Sequence, residues 1–200
     1  GYDSAGICVK NGDNFYISKK KGRVKDLEAQ IDPLVSGSIG IAHTRWATHG
    51  KPSETNAHPH LDCKGQIAIV HNGIVENYRT LKEVLKGEGH KFVSETDSEV
   101  IAHLIESFYE GDMEKAVVTA LKLIEGAYAL AIVSKNDEKI VVARKSSPLV
   151  LGIGKEEYFL ASDFSAILSK TKKAVYLDDL EIAVLSKRGY AVKKMNGEPV

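Results

Sequence analysis

The sequence has little of several features that would each mark a class of protein. Its 200 residues include two cysteines, Cys8 and Cys63, which are too few for the disulfide framework of a small secreted domain. No apolar run approaches the roughly 18 residues of a membrane-spanning helix, and no signal peptide opens the chain. Lysine plus arginine equals aspartate plus glutamate at 27 each, so no positive excess favours nucleic acid or a membrane surface. These absences predict a cytoplasmic protein that binds neither nucleic acid nor a membrane.

Several catalytic signatures are also missing. The sequence has no Gly-x-Ser-x-Gly elbow, no phosphate-binding loop and no dinucleotide-binding glycine pattern. His58, His60 and Cys63 could each ligate a metal, but a structural zinc site needs four ligands, usually in paired short spacings. No second pair with matching spacing exists. The prediction is therefore no metal and no cofactor, and a zinc-binding loop at these three residues remains an alternative.

The hydrophobic pattern predicts an α+β fold in a single domain covering residues 1–200. Hydrophobic residues make up 43% of the chain, which is enough for a core of this size. Short apolar runs separated by turn residues, such as Asn11-Gly12, predict hairpin strands at both ends of the chain. Apolar residues at helical spacing predict helices over roughly 76–86, 97–108 and 112–124. This order favours layered, largely antiparallel sheets.

One loop carries an unusual density of polar and aromatic groups. The strand over 38–43 leads into Arg45, Trp46, Thr48 and His49, which Gly50 follows at once. Loops at strand ends are common places for small-molecule sites, and arginine binds carboxylates or phosphates through two parallel hydrogen bonds. The competing interpretation is a solvated turn with one ion-paired arginine and a tryptophan folded onto the core.

Two further signals are weak on their own. Asn72-Gly73 follows the apolar run over 66–71 and is most simply a turn after a strand. Asp97 stands at a predicted helix start, where it is most simply a cap or a partner of the helix dipole.

Taken together, the motifs resemble a known family over essentially the whole chain. They occur in the order Gly1-Tyr2-Asp3-Ser4-Ala5-Gly6, His43-Thr44-Arg45-Trp46-Ala47-Thr48-His49-Gly50, Asn56-Ala57-His58-Pro59-His60, His71-Asn72-Gly73-Ile74-Val75-Glu76-Asn77-Tyr78, Glu95-Thr96-Asp97-Ser98-Glu99 and Leu160-Ala161-Ser162-Asp163. This series resembles the glutaminase domains of glucosamine-6-phosphate synthases, which are class II glutamine amidotransferases. The resemblance implies the N-terminal-nucleophile hydrolase fold, a four-layer αββα sandwich of two antiparallel sheets.

The resemblance also implies roles for particular residues. Arg45 would hold the α-carboxylate of L-glutamine and Asp97 its α-ammonium group, each through charge-assisted bonds. Asn72 and Gly73 would form the oxyanion hole. Thr48 and His49 would complete the glutamine pocket, and Trp46 would lie on a loop that closes over it. In the family the ammonia released from glutamine converts fructose-6-phosphate to glucosamine-6-phosphate.

The chain departs from the family at its first residue. The family's nucleophile is an N-terminal cysteine whose own α-amine, with a pKa of about 7.7–8.0, acts as the general base. This chain begins with Gly1, and neither Cys8 nor Cys63 matches that motif. The prediction is a glutaminase domain truncated at its N-terminus, without the sugar isomerase domain that would be its partner, and inactive as given. A full-length homodimer is implied, and a catalytically dead glutamine-binding or interaction module is the alternative.

Overall fold

Strands and helices follow one another in the order that the hydrophobic pattern predicts. The computed structural model describes residues 3–200, so the first two residues of the predicted opening turn, Gly1 and Tyr2, lie outside the described residues. In this range the strands are β1 (Ser4–Asn11), β2 (Asn14–Lys21), β3 (Ile39–Arg45), β4 (His60–Leu61), β5 (Ile67–Val75), β6 (Gly126–Ser134), β7 (Lys139–Lys145), β8 (Val150–Ile153), β9 (Tyr158–Ala161), β10 (Ala174–Tyr176), β11 (Glu181–Ser186) and β12 (Gly189–Lys194). The helices are α1 (Val24–Glu28), α2 (Tyr78–Gly87), α3 (Glu99–Ser107) and α4 (Met113–Leu121), and one turn of 3-10 helix spans Phe164–Ala166.

The strands form antiparallel sheets because most of them are joined in hairpins. The largest has six strands in the order β12-β11-β7-β6-β5-β4. Two smaller sheets have three strands each, in the orders β2-β1-β3 and β10-β8-β9. Every strand pair within these sheets runs antiparallel.

Two hydrophobic cores lie on opposite faces of the six-stranded sheet. Leu130 and Ile132 of β6 face the core that α2, α3 and α4 cover. Ala131 and Val133, which alternate with them, face the core shared with the two small sheets. Strand β6 is therefore apolar on both faces, which explains its continuous hydrophobic run. Helix α1 packs on β1 and β2. The strands form three sheets instead of the predicted two, and the predicted α+β sandwich is confirmed.

The structure differs from the predicted boundaries near two site residues. Strand β5 continues to Val75, so Asn72 and Gly73 are paired strand residues opposite Ala129 and Tyr128, and the prediction of a turn there is wrong. None of the helices within residues 3–200 is long and apolar enough to cross a membrane.

Candidate functional site

A cavity of about 180 Å³ lies where β3 and β5 meet the start of α3. Six of the seven predicted site residues line it: Arg45, Trp46, Thr48, Asn72, Gly73 and Asp97. The seventh, His49, lies beside it, with its Nδ1 atom 3.7 Å from Oδ1 of Asp97. A second depression of about 420 Å³, open to solvent beside the β1–β2 hairpin, is lined by one charged side chain, that of Asp32. The convergence of charged and amide groups marks the smaller cavity as the candidate site.

Arg45 brings a buried positive charge to this cavity. It is the last residue of β3, pairs with Ser4 of β1, and is only 4% exposed. Its Nη2 atom donates to the carbonyl oxygens of His49 and Gly50, the latter at 3.0 Å. Among the residues that the structure describes, its buried Nη1 atom has no hydrogen-bond partner. Because a buried guanidinium N–H is costly to leave unpaired, an anionic group in the cavity would stabilise it.

Asp97 supplies the opposite charge. It is 3% exposed and lies two residues before α3. Its Oδ2 atom accepts a 2.8 Å hydrogen bond from the backbone N–H of Val75, at the end of β5. This bond ties the start of the helix to the strand that carries Asn72 and Gly73. The remaining oxygen, Oδ1, faces His49 and is placed to accept from a cationic group.

Asn72 is oriented by a histidine of β3, a strand of another sheet. The Nε2 atom of His43 lies 2.8 Å from Oδ1 of Asn72. Burial lowers the pKa of His43 to about 4, although its bond to Asn72 opposes this shift. His43 is therefore neutral at pH 7 and carries a single N–H, which this bond places on Nε2. With its oxygen occupied, Asn72 has its amide nitrogen left to donate to a ligand.

Gly73 occupies a position that no other residue fits. Its φ angle is 134°, in the left-handed region that side chains disfavour. A Cβ atom added there would lie 2.0 Å from the carbonyl oxygen of Ala127 in β6. The backbone at this point of β5 can approach another group closely because nothing but hydrogen covers it.

The structure also brings into the site residues to which the sequence analysis gave no role in the glutamine pocket. His58, His71, Thr96 and Ser98 line the cavity with His43 and Thr44. The rings of His43 and His58 stack with centroids 4.1 Å apart, and Nδ1 of His71 lies 2.8 Å from Oγ of Ser98. Burial lowers the pKa of both His58 and His71, so these rings are held neutral. These residues occur in the sequence motifs that carry the family resemblance, and the motifs are therefore the signal from which a role in the site could have been predicted.

The two cysteines lie away from the cavity. Cys8 is buried between the sheets, and burial raises the pKa of its thiol to about 12. Cys63 lies beside His90 and His103, at 3.6 and 3.4 Å from their Nδ1 atoms. The alternative zinc loop is therefore not supported, because His58 lines the cavity and His60 bonds to Thr96 instead of converging on Cys63.

The chain belongs to the glutamine amidotransferase domain family, whose model matches residues 26–195. It is 52% identical to the glutamine–fructose-6-phosphate aminotransferase (isomerizing) of Thermotoga maritima, over 98% of this chain and 33% of that protein. The protein of the same description from Methanothermobacter thermautotrophicus is 53% identical, over 92% of this chain and 32% of that protein. The chain thus spans about a third of the length of these curated relatives.

Solved structures show the same fold. The glutamine phosphoribosylpyrophosphate amidotransferase of Bacillus subtilis matches with a TM-score of 0.85 and 25% identity, over 98% of this chain and 43% of that chain. A glutamine aminotransferase class-II domain protein from Silicibacter pomeroyi matches with a TM-score of 0.69 and 16% identity, over 96% of this chain and 91% of that chain. The N-terminal-nucleophile fold that the motifs implied is confirmed by these amidotransferase neighbours.

Proposed function

We propose that the cavity binds L-glutamine and that it is the glutaminase site of an enzyme that converts fructose-6-phosphate to glucosamine-6-phosphate. The observation that carries the proposal is the pair of opposite, buried charges, Arg45 and Asp97, in one small cavity. An amino acid is a zwitterion, so it offers one group to each charge. The shared description of the long relatives supports the sugar substrate.

Arg45 and Asp97 would fix the backbone end of glutamine. The unpaired Nη1 atom of Arg45 would donate to the α-carboxylate, and Oδ1 of Asp97 would accept from the α-ammonium group. Bonds between charged partners are roughly twice as strong as neutral ones, and they are stronger again out of water. The side-chain amide would then extend toward β5.

Asn72 and Gly73 would stabilise the charge that develops on the amide oxygen during attack. The Asn72 amide is already oriented by His43, so little reorganisation accompanies the reaction. The backbone N–H of Gly73, which lines the cavity, would be the second donor. Removing one such donor lowers kcat by about 100- to 1000-fold in other acyl-transfer enzymes.

The loop after β3 would cover the bound ligand. Trp46 is 75% exposed although it lines the cavity, and Thr48 lies beside it on the same loop. Folding this tryptophan over bound glutamine would bury its ring and exclude water from the reacting amide. Exclusion of water would also keep ammonia from bulk solvent.

Replacing Arg45 with alanine is expected to weaken glutamine binding by at least about thirtyfold, since loss of a buried charged partner costs about 2–5 kcal/mol. Calorimetric titration of the 200-residue chain measures this. Arg188→Ala, in the exposed turn between β11 and β12, is the matched control and should bind like the wild type. Equal affinity of the Arg45→Ala and Arg188→Ala chains would contradict the assignment.

The role of Asp97 is tested with a ligand that lacks the α-amine. Asp97→Asn should weaken binding of glutamine but leave binding of glutaric acid monoamide nearly unchanged, because that ligand has no ammonium group for Asp97. Equal losses for both ligands would assign Asp97 a structural role only, through its bond to Val75.

We also propose that the 200-residue polypeptide does not hydrolyse glutamine by itself, because neither thiol lines the cavity within the part of the chain that the structure describes. An assay of glutamate release should give the rate of buffer alone. Release that Cys8→Ala or Cys63→Ala abolishes would overturn this expectation. Binding without release by a naturally complete protein would favour the alternative, a glutamine-binding module.

The proposal includes the setting of the reaction. A sugar isomerase domain would be the partner that receives ammonia, in a homodimer of the longer protein. Both cysteines are free thiols, which suits the reducing cytoplasm. Mass measurement of the longer protein in solution would test the dimer.

A further inference from the structure

Four side chains with metal-binding atoms converge away from the cavity. Cys63 lies in the turn between β4 and β5, and His90 lies in the segment that connects α2 to α3. His103 and Glu106 stand three residues apart on α3, so they share one face of that helix. One donor atom from each of the four lies within 4.8 Å of the others. Three separate segments of the chain thus meet at one point.

The separations match the edges of a tetrahedral site. Sγ of Cys63 lies 3.6 Å from Nδ1 of His90 and 3.4 Å from Nδ1 of His103. Oε2 of Glu106 lies 3.1 Å from the former nitrogen and 3.5 Å from the latter. Ligand atoms about 2.0–2.3 Å from a tetrahedral zinc ion lie about 3.3–3.6 Å from one another. One sulfur, two imidazole nitrogens and one carboxylate oxygen are also donors that zinc accepts.

The ring of His103 lies between two carboxylates. Its Nδ1 atom faces the carboxylate of Glu106 at 3.5 Å, and its Nε2 atom faces that of Glu99, also at 3.5 Å. A cation at Nδ1 fits this arrangement, because the ring then binds the cation with Nδ1 and donates to Glu99 with Nε2. Such carboxylate–histidine–metal arrangements are usual around protein metal ions.

Two backbone N–H groups donate hydrogen bonds to ligand atoms of the cluster. The N–H of Lys91 donates to Sγ of Cys63 at 3.3 Å, which suits a sulfur that carries negative charge. The N–H of Cys63 donates to Oε2 of Glu106 at 3.0 Å. Cys63 is exposed whereas His103 is buried, so a cation can enter from the Cys63 side.

We propose that Cys63, His90, His103 and Glu106 form a structural site for a divalent cation of the zinc class. Four protein ligands fill a tetrahedral shell, so the ion has no open position for catalysis. It fastens the β4–β5 turn and the segment before α3 to α3 itself. That segment also carries Thr96 and Asp97, so the ion stabilises the chain that presents them to the cavity. The proposal does not depend on glutamine being the ligand of the cavity.

The test is zinc binding by the tag-free 200-residue chain after treatment with a chelator. Calorimetric titration with Zn²⁺ should give one ion per chain, and the bound ion should raise Tm. Cys63→Ser, at an exposed position, should bind at least about tenfold more weakly, since even loss of an outer partner costs about 10- to 100-fold in affinity. His49→Gln, which removes a histidine outside the cluster, should bind like the wild type.

Cobalt gives a second readout that does not depend on stability. Co²⁺ in place of Zn²⁺ should give a sulfur-to-cobalt charge-transfer band in the wild type and in His49→Gln, but not in Cys63→Ser. Equal zinc affinity of Cys63→Ser and the wild type would overturn the proposal. So would the absence of a charge-transfer band from the cobalt-loaded wild type.

Discussion

Gly73→Ala is expected to lower the free energy of unfolding by more than about 3 kcal/mol. Two costs combine. A φ angle of 134° is a conformation that costs a residue with a side chain about 1–3 kcal/mol. The added Cβ would also lie 2.0 Å from the carbonyl oxygen of Ala127, a backbone atom that cannot move without shifting β6 away from β5.

Gly189→Ala separates these two costs. Gly189 has nearly the same φ angle as Gly73, 136°, but a Cβ atom there meets nothing within 4 Å. This control should lose only about 1–3 kcal/mol, the penalty for the conformation alone. Urea denaturation at pH 7.5 measures both variants. Equal losses at the two positions would show that the sheet accommodates the methyl group and that close approach to β6 does not determine the choice of glycine.

Acid is expected to destabilise the protein well before its carboxylates titrate, because several histidines are buried in neutral form. Burial lowers the pKa of His43 to about 4 and that of His60 to about 3, against about 6.5 in the unfolded chain. Between these values the unfolded state binds more protons than the folded state. The stability that these neutral histidines contribute is therefore fully present above pH 6.5 and is lost as the pH falls toward 4.

The expected size of this effect is several kcal/mol. Each such histidine removes up to about 1.4 kcal/mol per pH unit, so His43 and His60 together account for about 4 kcal/mol between pH 7.5 and 5.0. The total free energy of unfolding of most domains is only about 5–15 kcal/mol. Urea denaturation at pH 7.5 and 5.0 tests this. His43→Gln should reduce the difference between the two pH values by about 2 kcal/mol, whereas Thr44→Ser, which removes no titratable group, should not. An unchanged difference in His43→Gln would contradict the assignment.

The sequence predicted those features that depend on local pattern. The alternating and continuous apolar runs located the strands of the large sheet, because burial on one or both faces leaves a direct trace in the residues. Arg45 and Asp97 were identified because a family resemblance connected motifs 52 residues apart. In the structure both line one cavity.

Features that depend on strand register and long-range contact could not be predicted. Asn72-Gly73 predicts a turn because glycine usually ends a strand, whereas the register with β6 continues the strand past it. His43 and His71 lie on different strands, and nothing in their spacing shows that both rings face the cavity. The convergence of Cys63, His90 and His103 is not visible in the sequence for the same reason, since the three residues are not separated by short spacings.

The cavity has one wall on β5, which pairs with β6, and another on the loop after β3. The two walls differ in how much conformational freedom they would lose when a ligand binds. Asn72 and Gly73 are held in register by a strand buried on both faces, so they lose almost no conformational freedom when a ligand arrives. Trp46 and Thr48 lie outside the strands, with the tryptophan ring in solvent, and they bear nearly all of the ordering entropy. Under the proposed function, changes in the loop would therefore alter the entropy of binding and the association rate, whereas changes in β5 would alter the stabilisation of charge on the amide oxygen.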